Sequence, residues 1–170
     1  DGAPPGTERL PKLLNAATNV IEFTGGDVRA RQNPDLISLH TLWLREHNRL
    51  AREIKDALKN NPPSDEIIFQ NARRLLIAQL QNVAFGEYLP LALGHRFLPD
   101  KKQDQTTNDA TVDPSIRNEF ATVAFRFGHS MASARINRDQ RLRDNFFNDV
   151  PYETVGPDAL LNATAAGACR

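Results

Sequence analysis

NPDLISLHTLWLREHNRLAREIKDALK, residues 33–59, decides the class of fold. Asn33 is a helix-capping residue, Pro34 suits the first helical position, and Asp35 puts an acid in the first turn. Leu36, Leu39, Trp43, Leu50, Ile54 and Leu58 then recur at helical spacing. The pattern predicts a helix over 34–59, which Asn60-Asn61-Pro62-Pro63 stops.

Downstream, Ser64 followed by Asp65-Glu66 starts a second helix. Ile67, Ile68, Leu75, Leu76, Ala78, Leu80, Val83, Phe85 and Tyr88 make it apolar on more than one side, which predicts burial among other helices. It should end near Tyr88-Leu89-Pro90. Residues 98–112 read as an exposed loop. Asp113-Pro114 opens a third helix, with Ile116, Phe120, Val123, Phe127 and Met131 as its stripe. The Arg-rich stretch 134–143 reads as a solvated turn, Phe146-Phe147 as packed, and Pro157-Asp158-Ala159-Leu160-Leu161 as a short helix. Upstream, residues 1–19 show little periodicity, 20–23 fit one short strand, and Thr24-Gly25-Gly26-Asp27 marks a turn. The expected class is mainly α with little or no β-structure. So much two-sided apolar surface calls for a larger helical body, so the chain reads as a fragment with cut ends.

The 170 residues suffice for one domain. Lys plus Arg and Asp plus Glu are 21 each, so bulk charge gives no reason to expect nucleic acid or an anionic membrane as partner. One cysteine, Cys169, excludes an internal disulfide and any Cys-based zinc site. No apolar run approaches a bilayer span. Phosphate loops, His-Glu-x-x-His pairs and serine elbows are absent from the sequence.

Four histidines remain. His40 and His47 lie within the Leu36–Trp43–Leu50 stripe, about 10 Å apart along the axis, too far to share a metal, and read as core histidines. His95 follows Gly94 in a loop and carries no signal. His129 falls opposite its helix's main stripe, beside Thr122, Phe125, Ala132 and Ser133. Small neighbours leave room for a flat group, and a neutral imidazole can ligate iron, although a satisfied core histidine fits the same pattern. Arg29 and Arg31 sit between the Gly-Gly turn and a helix start; either could be a surface charge or a buried donor aimed at a carboxylate or a developing anion.

Gly26-Asp27-Val28-Arg29, Asn33-Pro34-Asp35-Leu36 and the run LHTLWLREHNRLA (39–51) resemble the animal haem peroxidase (peroxidase–cyclooxygenase) superfamily. Glu87-Tyr88-Leu89-Pro90-Leu91-Ala92-Leu93-Gly94, then Ala124-Phe125-Arg126-Phe127-Gly128-His129-Ser130, then Gly156-Pro157-Asp158-Ala159-Leu160-Leu161 continue the likeness in order. It covers about residues 20–161. The resemblance implies the central part of one helical haem peroxidase domain, with the distal histidine, the calcium ligands and the C-terminal part outside this chain. It implies a haem b cofactor, hydrogen peroxide as oxidant and a small electron donor. By the same resemblance His129 would be the proximal iron ligand, Arg126 would pair with a haem propionate, and Arg29 would be the distal arginine.

Two departures bear on the cofactor. Where many members carry an ester-forming Glu three residues after the distal arginine, this chain has Gln32; the next position, a Met in one branch, is Asn33. No covalent haem link is expected at Gln32, and the most demanding halide oxidation is not expected. The resemblance leaves two alternatives to a peroxidase. A fatty-acid oxygenase of the superfamily would carry a radical Tyr three residues before the proximal histidine, where this chain has Arg126. A non-catalytic adhesion or matrix module would not need Arg29, Arg126 and His129. The family implies an extracellular setting, in which Asn162-Ala163-Thr164 is a glycosylation acceptor and Cys169 could pair outside the chain.

Overall fold

The computed structural model describes residues 4–59, 61, 63–94, 110–136 and 140–167. His95, Cys169 and most of the 98–112 loop lie outside the described residues. The chain divides into two compact units, one of residues 1–76 and 133–170, the other of residues 77–132.

The first unit opens with an antiparallel hairpin, β1 (Lys12–Asn15) and β2 (Val20–Phe23), in register Lys12 to Phe23 and Asn15 to Val20. β2 is the strand expected over 20–23; β1 was not, because KLLN does not alternate. The turn between them uses Asn19 at φ 56°, which asparagine tolerates. A 3₁₀ helix over Val28–Arg31 follows, then α1 (Pro34–Ala57). Asn33 caps α1 as expected, its side-chain oxygen accepting the Leu36 N–H at 2.9 Å. α5 (Val150–Thr154) and α6 (Pro157–Gly167) close the unit, with α6 along α1 and longer than the five-residue reading.

The core sits between these elements: Leu10, Phe23, Ile37, Tyr152 and Leu160, with Leu44 packed against it. Phe23 meets Tyr152 edge-on with centroids 4.8 Å apart. Of its expected stripe α1 fully buries Leu50 alone. Its buried residues are Pro34, Ile37, Ser38, Thr41 and Leu50, while Leu39 and Leu42 are exposed. Ser38 and Thr41 can be buried because their hydroxyls donate to the Pro34 and Ile37 carbonyls of their own helix. Thr41 also bonds the Tyr152 hydroxyl at 2.8 Å. The core-histidine reading is therefore corrected. His40 is exposed, and His47 is half-buried, its Nε2 3.3 Å from the Phe69 carbonyl and its ring against the Phe69 ring.

α2 (Asp65–Val83) begins in the first unit and ends in the second. Ile68 and Ala72 are its buried residues, whereas Ile67, Leu75, Leu80 and Val83 are exposed, so its expected all-round burial is not found within this chain. In the second unit a π-helical turn, Ala84–Tyr88, leads into α3 (Leu89–Leu93). The expected third helix is not continuous. α4 spans only Asn118–Thr122, Val123 breaks it at φ −121° and ψ −68°, and a 3₁₀ helix runs over Ala124–Met131. Asp113 makes a local turn onto the Ser115 N–H rather than a helix cap. The predicted stripe of Ile116, Phe120, Val123, Phe127 and Met131 is exposed throughout. So are Phe146 and Phe147, expected to pack. The 134–143 stretch carries a bridge between Arg135 and Arg141, and Ile136 within it is fully buried.

Among the described residues no helix is long and apolar enough to cross a membrane.

Candidate functional site

Arg29 stands on the 3₁₀ helix Val28–Arg31, in the first unit. Asp27 caps that helix, its Oδ1 accepting the Arg29 N–H at 2.8 Å. The same carboxylate holds the Arg29 side chain as a fork, with Nε to Oδ1 at 2.9 Å and Nη2 to Oδ2 at 2.6 Å. The side chain is nonetheless 80% exposed. The Arg29 side-chain hydrogen bonds hold the Asp27 carboxyl well below the usual range, with the backbone N–H adding and His40 contributing a weaker positive field. In turn Asp27 raises the Arg29 guanidinium.

Of the two arginines, Arg31 is the half-buried one. It is 16% exposed and bridges Glu22 at 2.6 Å and Asp149 at 3.1 Å. The Phe147 N–H donates to the Gln32 carbonyl at 2.9 Å. Both ends of the short helix are thus tied, one through Asp27 and the other through the hairpin and the segment before α5. Gly25 packs so closely that a Cβ there would lie 2.9 Å from the Ala30 Cβ. Gln32 is exposed one 3₁₀ turn after Arg29.

A cavity of about 410 Å³ lies between the hairpin and this helix, lined by Leu13, Phe23, Asp27, Arg31 and Phe147 among others. Arg29 does not line it, so it is not the space into which that guanidinium reaches.

Arg126 and His129 stand in the second unit, on the 3₁₀ helix Ala124–Met131. The face expected for His129 assumed a continuous α-helix and is corrected. In a 3₁₀ helix residues three apart eclipse, so Arg126 and His129 share one face. Both are exposed, and neither side chain has a partner among the described residues. The space around Gly128 is open: a Cβ there would meet nothing within 4 Å. An unengaged imidazole beside an unengaged guanidinium, on an open face, suits a group that offers both a metal and a carboxylate. Haem is such a group, and its iron asks the protein for an axial nitrogen rather than a ligand cluster. Among the described residues no group of three or more His, Cys, Asp or Glu could hold a bare metal ion.

Asn162 is exposed on α6, while the Thr164 hydroxyl of the same sequon donates to Asp35 Oδ1 at 2.9 Å. Burial raises the Asp35 carboxyl, and the Thr164 bond works the other way.

Sequence reasoning missed Asp27 and the Arg31 bridges. For Asp27 a signal was present, since an aspartate just before a helical turn is a capping residue. The Arg31 partners are 9 and 118 positions away and leave no local mark.

The sequence model of the family described as animal haem peroxidase matches residues 3–165. The chain is 36% identical over 177 residues to chorion peroxidase of Aedes aegypti, covering 94% of this chain and 22% of that protein. It is 43% identical over 124 residues to human myeloperoxidase, covering 70% of this chain and 16% of that one. Among solved structures it resembles peroxidase A from Dictyostelium discoideum, with a TM-score of 0.71 and 32% identity over 84% of this chain and 28% of that one. The chain therefore spans less than a quarter of the length of these curated relatives. It belongs to the animal haem peroxidase family.

Proposed function

We propose that this chain is the central part of the catalytic domain of a haem-dependent peroxidase, acting outside the cytoplasm on hydrogen peroxide and small electron donors. The observation that carries the reading is the pairing of Arg126 and His129 on one exposed 3₁₀ face, both without partners among the described residues. Haem, when bound, supplies the redox chemistry, taking two electrons' worth of oxidation from peroxide and returning it to donors. The His129 imidazole offers the axial nitrogen. Arg126 offers a planar, permanently charged fork to a propionate. Arg29 offers N–H donors where negative charge develops on a departing oxygen, an interaction worth most as the O–O bond breaks. Arg126, in place of the oxygenase branch's tyrosine, favours a peroxidase over a fatty-acid oxygenase. Gln32, an amide rather than a carboxyl, leaves haem free of an ester at this position. Asn162, exposed on α6, is proposed as a glycosylation site.

The test is peroxide-dependent oxidation of a small phenolic donor by the haem-loaded full-length protein. Arg29→Ala should keep its haem and lose on the order of 10²-fold or more in kcat/KM for peroxide, the usual loss for one such donor. An unchanged rate would remove Arg29 from the reaction. Acid–organic extraction followed by mass spectrometry should find no haem adduct on a peptide containing Gln32.

A further inference from the structure

Arg29 would serve a reaction poorly if it were merely exposed. A long side chain free in solvent samples many rotamers, and each productive encounter costs that freedom. The structure shows the opposite of a free side chain. One carboxylate, that of Asp27, takes three hydrogen bonds from Arg29, one from its backbone and two from its guanidinium. The backbone bond fixes where the side chain starts, and the fork fixes the plane in which it ends. The short helix that carries this pair is itself fixed: the Ala30 N–H donates to the Asp27 carbonyl at 3.0 Å, and Arg31 at its far end bridges Glu22 and Asp149. The fork uses the Nε hydrogen and one Nη2 hydrogen. The other three of the five N–H donors, two of them on Nη1, have no partner among the described residues and point away from the carboxylate.

We propose that Asp27 is the positioning residue of Arg29: it presents the guanidinium edge-on, with the Nη1 donors turned outward to an oxygen of peroxide. The proposal rests on the reading of Arg29 given above. Asp27 touches neither peroxide nor cofactor and acts only through Arg29.

Asparagine caps a helix about as well as aspartate. Asp27→Asn therefore keeps the 3₁₀ helix while weakening the fork, and Asp27→Ser, another good cap, does the same. Two measurements on the full-length protein test the proposal. The first needs no cofactor or turnover: phenylglyoxal labelling of Arg29, read by peptide mass spectrometry. Labelling of Arg29 should rise about two- to fivefold in Asp27→Asn and Asp27→Ser, the factor an exposed ion pair is worth. Equal labelling in wild type and variants would overturn the anchor. The second is a double-mutant cycle on peroxide turnover. Asp27→Asn alone should lower kcat/KM for peroxide by roughly ten- to a hundredfold, as misplacement of a reacting group does. In the Arg29→Ala background the same change should have almost no further effect, because its action passes through Arg29. An equal loss in both backgrounds would overturn the proposal. If Arg29→Ala itself leaves turnover unchanged, the functional reading fails, and that result is visible without any Asp27 variant.

Discussion

Two 3₁₀ helices carry the candidate site residues, and they are built differently. Val28–Arg31 is tied at both ends by charged side chains, and its central Ala30 is buried. Ala124–Met131 has no buried residue, and Phe125, Phe127 and Met131 along it are exposed. The first places its arginine by contacts within its own unit. The second presents its histidine and arginine with neither side chain engaged among the described residues. Ion pairs and close backbone packing can preset a guanidinium before any ligand arrives. An imidazole that is to bind iron must keep its nitrogen unspent.

The largest contrast is expected from cutting the held segment's charged tie. Arg31→Met leaves the Glu22 and Asp149 carboxylates without their shared cation and should cost about 2 kcal/mol, within the range for charged hydrogen bonds. Urea unfolding followed by circular dichroism checks this. A cost near zero would mean that the ties do not hold the helix.

A matched pair of glycines sharpens the comparison. Gly25→Ala drives a Cβ to 2.9 Å from the Ala30 Cβ and should cost about 1–3 kcal/mol, as overpacking does. Gly128→Ala adds its Cβ to open space and should stay within about 0.5 kcal/mol, because alanine is also the better helix former. Equal costs in thermal unfolding would erase the distinction between the two segments.

The sequence was most legible where local chemistry and tertiary structure agree. Asn33-Pro34-Asp35 gave the start of α1, and the observed helix ends at Ala57, two residues short of the expected end. It was least legible where burial ran against hydrophobicity. α1 hides Ser38 and Thr41 and exposes Leu39 and Leu42, since a hydroxyl bonded to its own helix is no burden in the core. The break at Val123 left no mark either, because neither proline nor glycine stands in residues 118–124 to announce it. For the site, the motifs around Arg29, Arg126 and His129 pointed to the family that the comparisons bear out. They did not show that Asp27 holds Arg29, because that contact depends on the folded turn.

The smallest effect is expected at the border between α1 and α6. Burial raises the Asp35 carboxyl in the folded state. A carboxyl raised on folding destabilises while it is charged, and that cost is relieved as pH falls through its folded value. Asp35→Asn should therefore change stability at pH 7 by no more than about 0.5 kcal/mol. Its stability relative to wild type should decline as pH is lowered toward the ordinary carboxylate range. Unfolding midpoints at pH 7 and pH 4 check the sign; a relative gain on acidification would mean that Asp35 is not penalised by burial.

His129 is the iron ligand under the proposed function, its imidazole having no partner among the described residues. The most direct measurement is the absorption spectrum of the haem-loaded full-length protein carrying His129→Ala, before and after adding free imidazole. The histidine-ligated ferric signature should be lost and haem occupancy lowered, with the signature restored by imidazole, whereas His47→Ala should leave the spectrum unchanged. A normal spectrum in His129→Ala, or the same loss in His47→Ala, would contradict it.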